Sequence, residues 1–483
     1  MESLNICFLA RPCYDVFSAK IYAELKRNFD SGVIGHFITS NAEESDYIKN
    51  ALGSDNVFIH EVSSYFKAHW DEFTKEDLIR NEKKYECAPV WEYIYMDRFL
   101  INRDYEYAVK IADGYFRFFE EIFQSGEIDF YYDEVIATLQ SYVAYIVANK
   151  YGATYLSQAV ARGGIDLEYH YFVSDPFEIP IDFPKDYLNI DYSEEELKRA
   201  DEFLKENEEK EVIPASLLAL QKKPKLNIPY LLTAPLHYLK AYMKPKNHDK
   251  YFYMYYHEAG VSLDTVKFYF NYRKSKKYYQ EPDYSEKFVY FPLHYQPEAS
   301  TIVCAQKYEK QLYFIDSWAK SLPADTKLYV KEHFFLLGNR DPKFFEDLKQ
   351  YPNVKVISPF VSSRELIDHC EALATLTGTA GWEAMLQRKP VFLSGRVFFE
   401  NAPGIIRQDE VYLHYLDAMA AWKKPSREDL IKYICAFFRI ARKGNAHAEM
   451  TEALTDDNIH LISKSLFEKM QEIGKNKYHA ESK

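Results

Sequence analysis

The sequence predicts an α/β protein with two Rossmann-like domains and additional helices. Short apolar runs alternate with segments of helical periodicity over residues 6–60 and again over residues 328–395. Parallel strands joined by crossover helices produce this alternation. The length of 483 residues is too great for one ordinary hydrophobic core, so at least two domains are expected.

The first domain is predicted over residues 1–280. Its first strand covers residues 6–10, a helix follows over residues 18–27, and further strands are predicted over residues 33–39 and 56–60. The turn after the first strand lacks the GxGxxG pattern, so a dinucleotide site of the usual type is not expected. Residues 75–125 are mainly helical and predict an inserted or covering helical layer.

Two carboxylates follow the strand predicted over residues 128–132. Asp133 and Glu134 stand at the carboxyl end of this strand, where ligands bind in α/β sheets, and they precede a helix over residues 138–148. Both are therefore candidates for chemistry. The alternative is a pair that stabilises the N-terminus of the helix, and the sequence leaves the two interpretations open.

The charge of the chain changes sign in its middle. Residues 193–211 predict a strongly acidic helix, most simply a solvated face. Residues 222–277 carry twelve Lys and Arg against three acids, interleaved with Tyr, Leu and Phe. Such a segment can bind an anionic membrane surface, or it can be an ordinary lysine-rich surface.

The second domain is predicted over residues 285–420, and the helices of residues 421–483 are expected to pack across the domains. Its first strand, residues 287–294, leads into a polar cluster that includes Gln296 and Glu298. The next strand ends at His333, which could bind a nucleotide phosphate or sugar or could serve the structure alone. These side chains follow strand ends, where a ligand cleft is expected.

A turn of small residues gives the clearest functional signal. Thr377, Gly378 and Thr379 leave the strand predicted over residues 372–376 and enter a helix. Backbone N–H groups at such a helix N-terminus bind anions, so the turn predicts a phosphate site. Glu383 lies about one helical turn later, where it can bind a ribose or compensate the helix dipole.

The composition excludes several functional classes. A net charge of −13 and a pI near 5.6 argue against a nucleic-acid binder. The six cysteines lack the spacing of a zinc site, and no DxD motif indicates a metal. No apolar stretch reaches the roughly 18 residues of a spanning helix, and no signal peptide begins the chain. We therefore expect a metal-independent cytoplasmic protein.

Three motifs resemble those of the bacterial capsule polysaccharide biosynthesis and export family, which includes retaining β-Kdo transferases. The motifs are Phe-Pro-Leu-His-Tyr-Gln-Pro-Glu-Ala-Ser at residues 291–300, Lys-Glu-His at residues 331–333, and Thr-Gly-Thr-Ala-Gly-Trp-Glu-Ala at residues 377–384 with a later Lys-Pro-Val. The resemblance covers roughly residues 285–400. It implies a GT-B-like fold in which two Rossmann-like domains face each other across a cleft.

The resemblance also implies a function and a donor site. A retaining glycosyltransferase would move a sugar from a nucleotide sugar to a growing surface polysaccharide or its lipid-linked acceptor, peripherally on the inner face of the cytoplasmic membrane. It would need no cofactor. The residues expected to bind the donor are Gln296, His333, Thr377, Gly378, Thr379 and Glu383.

The catalytic residues implied are carboxylates. Glu134 is preferred over Asp133 as the catalytic carboxylate of the first domain, and Glu298 would orient the sugar. CMP-Kdo is the donor that the family favours, although Phe334 stands where the family usually has proline. Two alternatives remain open, namely a non-catalytic glycan-binding or nucleotide-sugar-binding component of capsule assembly or export, and a sugar-nucleotide epimerase.

Overall fold

The computed structural model describes residues 4–11, 14–101, 103–161, 168–209, 258–333, 336–408 and 414–481, with a few single positions between 233 and 251. The chain divides into two compact units. Unit 1 comprises Met1–Phe183, Asp249–Met254 and Ile440–Lys483, and unit 2 comprises Pro184–His248 and Tyr255–Arg439.

Unit 1 is built on a sheet whose described part has the strand order β13-β6-β5-β4-β1-β2-β3. The five strands from β5 to β3 are parallel, and β6 and β13 are antiparallel to their neighbours. The strands are β1 (Asn5–Ala10), β2 (Ile34–Thr39), β3 (Val57–Glu61), β4 (Phe130–Tyr132), β5 (Thr154–Val160), β6 (Tyr169–Val173) and β13 (Arg442–Lys443).

Helices cover the sheet of unit 1, and four of them begin at a residue whose side chain caps the helix. The side chains of Asn41, Thr74, Asp104 and Thr138 each accept a backbone N–H at the start of a helix. The helices are α1 (Asp15–Asn28), α2 (Ala42–Leu52), α3 (Val62–His69), α4 (Lys75–Tyr85), α5 (Val90–Met96), α6 (Tyr105–Phe123), α7 (Leu139–Lys150) and the C-terminal α17 (Asp456–Glu481).

Unit 2 is built on a parallel sheet with the order β12-β11-β10-β7-β8-β9. Its strands are β7 (Lys287–Pro292), β8 (Thr326–Lys331), β9 (Val354–Ile357), β10 (Ala372–Thr375), β11 (Val391–Leu393) and β12 (Ile405–Arg407). Its helices are α8 (Glu194–Glu209), α9 (Glu258–Ser275), α10 (Ala299–Ile302), α11 (Gln311–Ser321), α12 (Pro342–Asp347), α13 (Ser363–His369), α14 (Thr379–Leu386), α15 (Tyr415–Ala421) and α16 (Arg427–Ile440).

The two sheets share one strand order. In unit 1 the first strand, β1, lies beside the fourth, β4, and in unit 2 β7 lies beside β10 in the same way. The order therefore reverses at these two positions, and ligands of such sheets bind at the carboxyl ends of the strands that flank the reversal. We call these positions the unit 1 and unit 2 switch points. The prediction of two Rossmann-like domains is confirmed.

The division of the chain differs from the predicted domain limits. Helix α8 clusters with unit 2 and the residues from Ile440 onward with unit 1. Helix α8 was predicted as a solvated acidic face, but its acids bind two arginines of α16. Arg427 lies 2.7 Å from Glu208, and Arg439 lies 2.5 Å from Glu196. These ion pairs hold α8 against α16, and a reading of α8 alone could not show them.

One further expectation concerns the basic segment in the middle of the chain. Most of the basic segment 222–277, in which membrane binding was considered, lies outside the described residues apart from α9 and the turns after it. Among the described helices, none is both long and apolar enough to cross a membrane.

Candidate functional site

The unit 2 switch point brings together residues that follow β7 and β10. His294 lies two residues beyond the end of β7, and the turn from Thr375 to Thr379 joins β10 to α14. The main chain of His294 is fixed by Gln311, whose Oε1 accepts the N–H of His294 at 2.8 Å and whose Nε2 donates to its carbonyl oxygen at 3.1 Å. The imidazole therefore projects from a rigid point.

The His294 ring binds the start of the turn from Thr375 to Thr379, which we call the phosphate turn. Its Nε2 accepts the backbone N–H of Thr377 at 3.2 Å and lies 3.1 Å from the hydroxyl of Thr375. A backbone N–H can only donate, so Nε2 carries no proton and the neutral ring is protonated at Nδ1. Burial lowers the pKa of His294 to about 3, and the neighbouring His333 and Arg340 act in the same direction, which keeps the ring neutral.

The predicted turn between a strand and a helix is present, but two of its three predicted residues use their N–H groups for hydrogen bonds inside the protein. Thr377 donates its N–H to His294 and its hydroxyl to the carbonyl oxygen of Ser300 at 2.9 Å. Gly378 donates its N–H to the hydroxyl oxygen of Thr375 at 3.0 Å. An anion at this turn therefore has to find other donors.

Those donors lie at the first turn of α14. Gly378 is the N-cap and provides no side-chain cap, and Thr379 begins the helix at the surface. Among the residues that the structure describes, the N–H groups of Thr379 and Ala380 have no acceptor. Unsatisfied N–H groups and the positive end of the helix dipole together favour an anion. Thr379 is the member of the predicted triad that is available to a phosphate.

Glycines make the close packing of the turn possible. A Cβ on Gly378 would lie 3.1 Å from both His294 Nε2 and Thr375 Oγ1. A Cβ on Gly395, beyond the end of β11, would lie 2.6 Å from the carbonyl oxygen of Leu376. Larger residues at either position would displace the turn.

The predicted His333 lies at the end of β8 and is mostly buried. Burial, with the charges of Arg340 and Lys331, lowers the pKa of His333 to about 4. Arg340 is itself paired with the buried Glu332 at 3.1 Å and donates to the carbonyl oxygen of His294 at 3.2 Å. A neutral His333 can form hydrogen bonds with a ligand, but it brings no positive charge to a phosphate.

The predicted sugar-binding residues have different surroundings. The amide nitrogen of Gln296 donates to the carbonyl oxygen of Glu309, so it is engaged within its own loop. Glu298 is exposed, and its carboxylate accepts the hydroxyl of Ser300 at 2.8 Å. Because Ser300 also accepts from Thr377, Glu298 is linked to the phosphate turn through one residue. Glu383 is half-buried on α14. Ligand contacts by these three residues stay predictions.

The unit 1 switch point brings Asp133 and Glu134, which follow β4, against Arg11, which follows β1. Arg11 Nη2 lies 3.5 Å from Asp133 Oδ1 and 3.3 Å from Glu134 Oε2. Burial disfavours the charge of Arg11, but the two carboxylates raise the pKa of its guanidinium above the ordinary value. Asp133 is buried and also accepts the hydroxyl of Tyr131 at 3.1 Å. One arginine therefore faces two carboxylates.

Glu134 is the more accessible of the two carboxylates, with a side chain that is 26% exposed against 1% for Asp133. Burial raises the pKa of Glu134 above its usual range, although Arg11 and a hydrogen bond with Tyr14 act in the opposite direction. A small pocket borders both carboxylates and is lined by Leu9, Tyr14, Phe17, Ser18, Tyr132, Asp133, Glu134, Gln158 and Ala446. Of the two carboxylates, Glu134 is therefore the one with the more accessible side chain beside this pocket.

The alternative interpretation of these carboxylates as helix caps is wrong. Helix α7 begins at Leu139, and its cap is Thr138, whose hydroxyl oxygen accepts the N–H of Ser141 at 3.3 Å. The N–H of Leu139 donates to Asp97, on the loop after α5, at 2.8 Å. Asp133 and Glu134 thus lie outside the capping interactions.

Several members of the two sites were not predicted. Arg11 lies in the turn after the first predicted strand, but no role is predicted for it, nor for Tyr14, which hydrogen-bonds to Glu134, or His447, which acts on Glu134 electrostatically. His294 ends the first predicted strand of the second domain, again without a predicted role. A polar residue at or directly after the end of a predicted strand was the available signal for Arg11 and His294, whereas nothing local marks His447. Among the described residues, no group of three His, Cys, Asp or Glu could hold a metal ion.

Comparison with known proteins adds a family. Residues 196–436 match the family described as capsule polysaccharide biosynthesis protein. This segment contains the whole unit 2 switch point. A search of the curated proteins finds no match.

The solved structures to which the chain is similar include two transferases and an epimerase. The β-Kdo 2,7 transferase of KpsC from Thermosulfurimonas dismutans is 14% identical, with 68% of this chain and 82% of that chain covered and a TM-score of 0.32. The β-Kdo 2,4 transferase of the same KpsC is 16% identical, with coverage of 69% and 87% and a TM-score of 0.34. The UDP-GlcNAc 2-epimerase of Methanocaldococcus jannaschii, in complex with UDP-GlcNAc and UDP, is 10% identical, with coverage of 90% and 99% and a TM-score of 0.26.

Proposed function

We propose that this chain, which belongs to the capsule polysaccharide biosynthesis family, is a glycosyltransferase that uses a nucleotide-sugar donor. The sugar would be added to a growing surface polysaccharide or to its lipid-linked acceptor. The observation that carries the proposal lies at the unit 2 switch point. There, among the described residues, the N–H groups of Thr379 and Ala380 at the start of α14 have no acceptor and can bind an anion.

The donor phosphates are the anion that this site would bind. As the sugar leaves, negative charge grows on the nucleotide phosphate, and fixed N–H groups stabilise that charge without having to reorganise. His333 would add a neutral hydrogen-bond donor. Glu383 would bind the ribose, and Glu298 and Gln296 would orient the sugar. CMP-Kdo is the first donor to test because of the family, although the position of Phe334 lies outside the described residues.

Glu134 is the carboxylate that we assign to the chemistry. Its raised pKa suits a group that takes or gives a proton during transfer. A retaining reaction with a covalent intermediate would instead use the ionised carboxylate as a nucleophile, and Arg11, at 3.3 Å, favours that form. Asp133 would support either role by sharing Arg11 with Glu134.

Turnover of nucleotide sugars tests the proposal. Purified protein is incubated with CMP-Kdo, and separately with UDP-, GDP- and dTDP-sugars, with and without a capsule oligosaccharide acceptor. We expect one nucleotide to be released in an acceptor-dependent reaction, with the sugar recovered on the acceptor by mass spectrometry. Absence of both turnover and nucleotide binding with every donor would refute the proposal.

The same experiment separates the alternatives. An epimerase would convert the donor sugar without acceptor, and the product would still be attached to the nucleotide. A non-catalytic binding component would bind a nucleotide sugar without releasing the nucleotide, and the Glu134→Gln variant would then behave as the wild type. The surface variant Glu76→Gln, which changes an exposed carboxylate of α4, serves as the control for both.

A further inference from the structure

We propose that His294 is the positioning residue of the phosphate turn, holding the N–H of Thr377 on its Nε2 and so leaving the anion to the N–H groups of Thr379 and Ala380. This inference rests on the proposed function, since it concerns the same nucleotide site. In this account His294 acts through the turn and does not touch the ligand.

The position of the ring is set before any ligand arrives. The main chain of His294 is held by both amide atoms of Gln311, at 2.8 and 3.1 Å, and by Arg340, at 3.2 Å. The residue is 6% exposed at the carboxyl end of β7. A ring on such a support holds one geometry, which is what a positioning residue requires.

The protonation of the ring also points to a role for Nε2. The N–H of Thr377 donates to Nε2, so the proton of the neutral ring lies on Nδ1. Nδ1 is buried and has no hydrogen-bond partner among the described residues. Leaving a buried donor unpaired costs free energy, so this tautomer persists because Nε2 has to accept from Thr377. The opposite tautomer would direct two donors at each other.

The surroundings keep the ring in this state. Burial lowers the pKa of His294 to about 3, and the neighbouring His333 and Arg340 act in the same direction. The hydroxyl of Thr375, 3.1 Å from Nε2, also accepts the N–H of Gly378 at 3.0 Å. His294 and Thr375 thus fix the two residues that precede α14, and the absence of a Cβ at Gly378 allows their approach.

The consequence is a selection among backbone donors. Without His294, the N–H of Thr377 would be free to turn towards solvent, and the start of α14 would lose its fixed direction. With His294 in place, the helix presents Thr379 and Ala380 to the ligand in a single arrangement. The residue therefore sets the geometry of phosphate binding from behind the site.

Two substitutions separate the two nitrogens of the ring. The amide of His294→Gln reaches the place of Nε2 and can accept from Thr377, whereas the amide of His294→Asn reaches only the place of Nδ1. The first readout is hydrogen exchange of the peptide over residues 375–380 without ligand. The second is the affinity for CMP, UDP, GDP and dTDP by calorimetry.

We expect His294→Gln to keep the exchange protection of this peptide and a nucleotide Kd within about threefold of the wild type. We expect His294→Asn to lose the protection and to weaken binding by about tenfold, which corresponds to one lost hydrogen bond. The proposal would be overturned if the two variants showed the same exchange protection and the same nucleotide Kd. It would also be overturned if His294→Asn kept the protection and the affinity while His294→Gln lost them.

Two further results complete the test. ¹⁵N NMR of the wild type tests the inference even if His294→Asn fails to fold. A His294 ring that is protonated at Nε2 would overturn it. If the wild type binds none of the nucleotides while the exchange pattern follows the expectation, the proposed function fails and the positioning role stands. If nucleotides bind but the exchange pattern differs from the expectation, the positioning role fails and the proposed function stands.

Discussion

The two switch points have the same strand order but opposite chemistry. In unit 1, one arginine faces the carboxylates of Asp133 and Glu134, and the group carries a net negative charge when both are ionised. In unit 2, the switch point holds the neutral ring of His294 and the unsatisfied N–H groups at the start of α14. The topology fixes where a ligand binds, and the side chains at strand ends decide which ligand.

From this difference we infer separate tasks for the two units. A phosphate would be repelled by the carboxylates of unit 1 and accepted by the helix N-terminus of unit 2. The raised pKa of Glu134 suits proton transfer. In unit 2, the lowered pKa values of His294 and His333 keep both imidazoles neutral. We therefore expect changes in unit 1 to affect the reaction, and changes in unit 2 to affect donor binding.

The largest expected effect is that of Glu134→Gln on turnover. The amide keeps the shape of the side chain but neither transfers a proton nor acts as a nucleophile, so we expect kcat to fall by about 10²–10⁴-fold. Acceptor-dependent nucleotide release measures it, with Glu76→Gln as the surface control. A kcat within a few-fold of the wild type would remove Glu134 from the mechanism.

The next effect is on stability and comes from Arg11→Ala. This change leaves the buried Asp133 and the half-buried Glu134 beside each other without their partner, which we expect to lower the free energy of unfolding by about 3–5 kcal/mol. Urea denaturation at neutral pH measures it. Arg27→Ala, at a side chain that is 72% exposed, is the matched control and should cost little. Equal stabilities of the two variants would contradict the buried cluster.

A smaller effect is expected for Gly378→Ala on nucleotide binding. The new Cβ would lie 3.1 Å from His294 Nε2 and Thr375 Oγ1, so the turn has to shift by a few tenths of an ångström. We expect the Kd of the preferred nucleotide to rise by about tenfold. In the control Gly474→Ala, the Cβ meets no atom within 4 Å. An unchanged Kd in Gly378→Ala would show that the turn tolerates the shift.

The smallest effect is a pH dependence caused by His294. Its folded pKa of about 3 lies below the unfolded value, so the unfolded chain binds more protons between the two values and stability is lost as pH falls from about 6.5. One such group contributes a slope of at most about 1.4 kcal/mol per pH unit. His294→Gln should therefore lose stability less steeply than the wild type in urea denaturation between pH 6.5 and 4.

The control for this pH series is His414→Gln, which changes an exposed histidine. It controls for replacing a histidine by glutamine at the surface of the chain. The slope will not vanish in His294→Gln, since burial also lowers the pKa of His60, His170 and His333. Parallel curves of stability against pH for the wild type and His294→Gln would mean that the folded pKa of His294 is not lowered.

The sequence was sufficient where the signal was local. Apolar runs indicated β1, β4, β7 and β10, and the small residues of the Thr377 turn indicated a helix N-terminus after a strand. The carboxylates after β4 were found because ligand-binding residues of such sheets follow strand ends. Local patterns of this kind depend on a few neighbouring residues, so they are visible without the fold.

The sequence was insufficient where distant residues meet. The contact of Arg11 with Glu134 spans 123 positions, and His447 acts electrostatically on Glu134 from a segment that returns to unit 1 at the end of the chain. The N–H of Thr377 donates to His294, which lies 83 positions earlier in the chain. Composition and spacing carry no record of such pairs, so the number of donors left for a phosphate could not be counted from the turn.

The most direct test of this division of tasks is a calorimetric titration of the preferred nucleotide into the wild type, Glu134→Gln and Gly378→Ala side by side. The account predicts a Kd within about twofold of the wild type for Glu134→Gln and a Kd about tenfold higher for Gly378→Ala. Loss of nucleotide binding in Glu134→Gln with normal binding in Gly378→Ala would contradict it, as would a wild type that binds no nucleotide.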